Sequence, residues 1–171
     1  MLAGDHCQLS PTVKSAEAAR NGLSATLLEK AAALYPEAVV LLNEQYRMHE
    51  MIMGYSASVF YESRLTAHAS VAGHLLHPGD TPLAFVDTAG CGFDEATDGT
   101  STTNPEEAAF LFKHLTQLVA GLTPHYAAEQ FPNIAIISPY RQQIALLREQ
   151  LEHAPALQPY LQKISLSLIH I

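Results

Sequence analysis

Apolar positions along the chain alternate between two rhythms. Ser15 can cap a short helical stretch that Asn21-Gly22 ends, and Ser24 offers a second start. Leu27, Leu28, Ala31 and Leu34 then recur at helical spacing before Pro36, which predicts a short amphipathic helix. The compact apolar run 38–42, with Val39 and Val40 inside it, reads as a strand covered on both faces. A helix is predicted over 49–61 with Ile52, Tyr55, Val59 and Phe60 along one side, followed by an irregular connection over 64–81. Residues 82–87 read as a second strand and 90–103 as a long polar loop. Asn104-Pro105-Glu106-Glu107 is the strongest helix start: an Asn cap, Pro at the first helical position, and two acids at the positive end of the dipole. Ala109, Phe112, Leu115 and Val119 would form its buried stripe. A third strand over 133–137 leads through Ser138-Pro139 into a helix carrying Ile144, Leu147 and Leu151.

Strand and helix in alternation give an α/β layer with a mostly parallel sheet flanked by helices, and such sheets bind ligands at the carboxyl ends of their strands. Three polar motifs follow apolar runs in that way: Gly4-Asp5-His6-Cys7-Gln8-Leu9, Gln45-Tyr46-Arg47-Met48 and Ser138-Pro139-Tyr140-Arg141-Gln142-Gln143. The 171 residues are 48% apolar and 15% charged, which excludes intrinsic disorder and a collagen-like chain. No apolar run approaches the roughly 20 residues that span a bilayer, and residues 1–5 lack a signal-peptide pattern, so a cytoplasmic protein without membrane contact is expected. The formal net charge of −8 speaks against a dedicated basic nucleic-acid-binding field. Contact with nucleic acid would rest on a few placed groups. Cys7 and Cys91 are too few and too far apart for a disulfide framework or a paired zinc motif.

Each motif also has an ordinary reading. Asp87-Thr88-Ala89-Gly90 invites comparison with a GTPase switch, but no Gly-rich loop ending in Lys-Ser or Lys-Thr accompanies it. His68, His74, His77 and Asp80 match no zinc spacing and fit a solvated loop; no metal ligand is assigned. Cys7 beside His6 lacks an evident orienting group for nucleophilic chemistry. Gln45-Tyr46-Arg47 carries more: a guanidinium fork suits phosphate oxygens, and an aromatic ring suits a base. Taken singly, Tyr46 could be core and Arg47 could pair with Glu44 or Glu50.

Taken together, the motifs resemble the superfamily 1 helicases of the nonsense-mediated-decay and immunoglobulin-mu-binding-protein type, ATP-driven translocases with two RecA-like domains. Residues 2–11 resemble helicase motif III and its following segment, and residues 43–49 the Gln-Tyr-Arg-Met motif that opens the second RecA-like domain. Asn104-Pro105-Glu106-Glu107-Ala108 and residues 136–143 are similar to two further family stretches, in the same order. By this resemblance Gln8 would sense the γ-phosphate and Asp5 would hold its loop. Gln45 and Tyr46 would lie at the nucleotide, with Tyr46 stacking near the adenine, and Arg47 would be the arginine finger. Ser138, Tyr140, Arg141 and Gln143 would face single-stranded DNA or RNA.

The resemblance runs from about residue 2 to about residue 164. It implies a RecA-like P-loop NTPase fold, with 1–36 as the end of a first RecA-like domain and its connector. Residues 37–164 would then be part of the second domain, followed by an atypical apolar tail at 165–171. The family's P-loop and its magnesium-holding Asp-Glu motif match nothing in the chain. The chain is therefore expected to be an internal fragment whose ATP and Mg2+ ligands lie largely outside it, with a missing first RecA-like domain as partner. Alone it would be catalytically inactive. A RecA-like binding or scaffold module without catalysis is the alternative.

Overall fold

The computed structural model describes residues 1–8, 12–99 and 101–169. Two compact units form, residues 1–83 and 84–169. The division falls inside the 37–164 segment that the resemblance treats as one partial domain. Each unit mixes helices with a parallel strand pair, so the α/β class holds, in keeping with a RecA-like fold.

In the first unit, α1 (Ala16–Ala18) is capped by Ser15 and continues as a single wide turn to Leu23, where Gly22 takes φ 90° and stops it. Helix α2 (Leu27–Leu34) starts not at Ser24 but at Thr26, whose hydroxyl accepts from the Glu29 amide while Glu29 reaches back to the Thr26 amide. The expected strand at 38–42 is absent. A short 3-10 turn occupies Pro36–Ala38, and the chain then runs exposed, with Val40 and Leu42 more than four-fifths accessible. Extended, β-branched residues become a strand only where a neighbour takes their backbone hydrogen bonds. That neighbour arrives at Asn43, whose carbonyl accepts from the Thr66 amide. Strands β1 (Glu44–Gln45) and β2 (Thr66–Ala67) then pair in parallel, Gln45 opposite Ala67.

Between them lies α3 (Glu50–Phe60), capped by the His49 ring. It buries Met53 and Ala57, not the expected stripe: Ile52, Tyr55, Val59 and Phe60 are all exposed. Every period-3.6 pattern on an apolar helix has more than one candidate face, and packing alone chose between them. A four-residue α4 (Ala69–Ala72) follows β2 inside the connection expected to be irregular.

The expected strand at 82–87, which straddles the division between the units, is also absent, and Phe85 stands almost fully exposed. The polar loop contains a hairpin, β3 (Ala96–Asp98) antiparallel to β4 (Ser101–Thr103). Helix α5 (Pro105–Leu122) begins as expected, with the Asn104 side chain accepting from the Glu107 amide. Leu115 and Val119 are buried and Phe112 partly so; Ala108 and Leu122 complete the face in place of Ala109. Strand β5 (Ile134–Ser138) pairs in parallel with β6 (Ile164–Leu168), crossing over through α6 (Arg141–Glu152) and a 3-10 segment, Pro155–Lys163. Residues 165–168 of the expected apolar tail thus belong to a strand. Ile144, Leu147 and Leu151 of α6 pack with Leu115, Val119, Leu122, Ile136, Leu157 and Ile164 into one core. Among the described residues no helix is long and apolar enough to cross a membrane.

Candidate nucleotide and nucleic-acid site

The Gln-Tyr-Arg-Met turn sits at the carboxyl end of β1. Its shape is set by Gln45, whose carboxamide oxygen accepts from the amides of Arg47 (2.7 Å) and Met48 (2.9 Å) while its nitrogen donates to the Met48 carbonyl (2.7 Å). One side chain thereby holds three backbone groups of a turn that has no strand partner to satisfy them. Tyr46 donates its hydroxyl to the Glu44 carboxylate at 2.8 Å, a bond that raises the phenol above its ordinary pKa. Its ring stacks on the His68 imidazole, with centroids 4.3 Å apart and planes 25° from parallel. Tyr46 is therefore not core; it stays 60% exposed.

Arg47 projects into solvent, and among the described residues its guanidinium has no ion-pair partner. The ordinary reading, an ion pair with Glu44 or Glu50, is not what the structure shows. Backbone geometry fixed by Gln45 and an unspent guanidinium leave a cation presented at a strand terminus, where a ligand's phosphate oxygens could be met by a bidentate fork.

Asp5, Gln8 and Tyr61 form a second polar knot in the same unit. The Asp5 carboxylate accepts from the Cys7 amide (3.0 Å), the Gln8 carboxamide (2.7 Å) and the Tyr61 hydroxyl. Burial pushes the Asp5 carboxyl upward, but the bonds from Tyr61, Gln8 and the Cys7 amide outweigh it and hold the group below its ordinary value. Tyr61 moves the opposite way, raised by the same bond to Asp5. Tyr61 carried no motif signal in the sequence, and only folding brought it to Asp5. Leu9, Ser10 and Pro11, the rest of the motif III resemblance, lie outside the described residues. The ligand atoms of Asp5, His6 and Cys7 lie within 4.8 Å of one another, yet Asp5 serves three donors and the Cys7 thiol points to the Phe60 carbonyl at 3.3 Å.

In the second unit the Ser138 hydroxyl, buried at the end of β5, accepts from the Tyr140 amide at 3.2 Å. Tyr140 and Arg141 are exposed as the chain enters α6. Gln143 is only 7% exposed: its oxygen accepts from the Asn104 amide (2.8 Å) and its nitrogen donates to the Asn104 carbonyl (3.2 Å). Gln143, placed on the nucleic-acid side by the resemblance, thus spends both ends of its amide on the cap of α5.

The remaining motifs take ordinary forms. Asp87 accepts from the Ala89 amide at 2.9 Å, and the Cys91 amide donates to the Thr88 carbonyl across a turn in which Gly90 has φ 80°. Glycine at the third position of such a turn needs no nucleotide to explain it. His77 sits 3.9 Å from Asp80, and the described residues bring no metal-ligand group together from His68, His74, His77 and Asp80.

Residues 23–167 match the family model of an AAA domain. The chain belongs to the AAA domain family. This AAA domain is 44% identical over 165 residues to the DNA-binding protein SMUBP-2 of Rattus norvegicus, covering 90% of this chain and 16% of that protein. It is 34% identical over 164 residues to the Regulator of nonsense transcripts 1 homolog of Drosophila melanogaster, covering 92% and 13%. With the DNA replication ATP-dependent helicase/nuclease JHS1 of Arabidopsis thaliana it shares 31% identity over 172 residues, covering 91% and 12%. The AAA domain thus spans less than a fifth of the length of each of these relatives.

Proposed function

We propose that this chain is part of a superfamily 1 helicase, an ATP hydrolase moving on single-stranded DNA or RNA, and that it supplies the arginine-finger side of the ATP cleft. The carrying observation is Arg47: exposed at the carboxyl end of a parallel strand pair, held in place by Gln45, and without an ion-pair partner among the described residues. Phosphoryl transfer spreads negative charge over the transferred oxygens, and a guanidinium stabilises that charge without a proton shift. The names of the relatives, two of which speak of a helicase or of DNA binding, support the same reading.

The side chains present suit the phosphate and base ends of ATP but not its magnesium ion. Arg47 and Tyr46 are available, whereas the Glu44 carboxylate beside them is engaged by Tyr46. ATP supplies the phosphoanhydride whose cleavage drives movement; the Mg2+ ligands and the partner first RecA-like domain belong to the parent protein. In this reading residues 1–36 end that first domain and 37–164 build part of the second. Gln8, held by Asp5, couples the γ-phosphate to nucleic-acid grip. Tyr140 and Arg141, with the Ser138 turn, contact the strand's phosphates and bases. Gln143 serves that surface by fixing the Asn104 cap beside it.

In the full-length protein, Arg47→Ala is expected to lower ATP turnover by about 10³-fold while leaving the circular dichroism spectrum unchanged. Undiminished turnover in a folded variant removes Arg47 from the chemistry and with it this reading.

A further inference from the structure

Tyr46 and His68 occupy the first positions beyond the registered pair Gln45 and Ala67, and the His68 amide continues the ladder by donating to the Gln45 carbonyl at 2.9 Å. Neighbouring parallel strands lie about 4.8 Å apart, so side chains in register on one face meet at stacking distance. The 4.3 Å ring separation is the result. Neither ring is free to swing. The Tyr46 hydroxyl is held by Glu44, and His68 Nδ1 accepts from the Ser70 amide (3.2 Å) and lies 2.8 Å from the Ser70 hydroxyl. Nδ1 as acceptor puts the proton of the neutral ring on Nε2, leaving the flat face of the imidazole to Tyr46.

From this geometry we infer that His68 is a positioning residue for the nucleotide base. It covers one face of Tyr46, sets the plane of that ring, and directs a purine to the remaining exposed surface. The inference rests on Tyr46 being the base platform, as in the reading above. It adds a residue 22 positions downstream of Tyr46. An aromatic partner already in place spares the incoming base the cost of ordering a free tyrosine.

His68 has two separable jobs, stacking on Tyr46 and capping α4 through Nδ1. In the full-length protein, His68→Asn keeps an acceptor for the Ser70 amide and removes the ring; His68→Phe keeps a ring and removes the acceptor. With ADP as the probe in titration calorimetry, His68→Asn is expected to weaken binding about three- to tenfold, and His68→Phe to stay within about twofold of the parent. ADP bound by His68→Asn as tightly as by the parent overturns the inference. So does a His68→Phe protein that weakens as much as His68→Asn, since the cap would then be what matters. Tyr46→Ala separates the two levels. If it binds ADP normally, the base-platform reading itself falls; if it binds weakly while His68→Asn binds normally, only the role of His68 falls.

Discussion

Residues 84–169 bury a continuous apolar core, whereas residues 1–83 bury only Met53 and Ala57 among the described residues. Both units have amphipathic helices and a parallel strand pair, so secondary structure does not separate them. Cross-strand registry does: β5 and β6 match over five residues, and β1 and β2 over two. A longer ladder presents a wider apolar face, and α5 and α6 close over it with Leu115, Val119, Leu147 and Leu151. The first unit depends on side-chain hydrogen bonds, the Gln45 clamp and the Asp5 knot among them. Such bonds contribute about 1 kcal/mol each, against about 2–3 kcal/mol for a fully buried leucine. The candidate nucleotide residues thus sit in the unit held mainly by polar contacts, where local adjustment costs least.

The largest effect should come from the core. Leu157, fully buried, is expected to cost about 2–5 kcal/mol when replaced by Ala, while Leu42→Ala in the first unit should stay within about 0.5 kcal/mol. Urea denaturation of both variants measures the contrast, and equal losses would erase it.

Next in size is Gln143→Leu. It leaves the Asn104 amide without its acceptor, while the Asn104 carbonyl keeps the Ala108 amide, an expected loss of about 1–3 kcal/mol. Hydrogen exchange should then rise at the start of α5 first. A uniform rise across the second unit would mean that Gln143 acts on the whole core instead of on the cap.

The smallest effect concerns Tyr61→Phe, which removes one donor from Asp5. A carboxyl held below its ordinary value stabilises the fold at neutral pH, and that stability is lost as pH falls from the unfolded value of about 3.9 through the lowered folded value. In Tyr61→Phe the Asp5 carboxyl should titrate closer to its ordinary value in a carbon-detected NMR series, with a shallower acid loss of the first unit. An unmoved titration would show that Gln8 and the Cys7 amide suffice.

The starts of α1 and α5 were legible because a cap is a local event. Asn104 and its following Pro105 sit within one turn of the amides they affect, and the structure shows that cap as expected. The core of α6 was legible for a similar reason: Ile144, Leu147 and Leu151 define one face without competition. The strands at 38–42 and 82–87 were not, because apolar composition cannot supply a ladder partner. Nor was the buried face of α3, where Ile52 and Met53 are neighbours of comparable hydrophobicity and only packing selects Met53.

By itself the sequence determined the mixed α/β class, the cap of α5 and the order of the polar motifs along the chain, since each depends on residues a few positions apart. Tertiary structure alone decided that Arg47 would have no ion-pair partner among the described residues, that Gln143 would be spent on Asn104, and that Tyr61 and His68 would meet Asp5 and Tyr46. Those pairings span 22 to 56 residues of chain. No local propensity encodes them; they exist because folding brings distant backbone into register and leaves each polar group to whichever partner lies within reach.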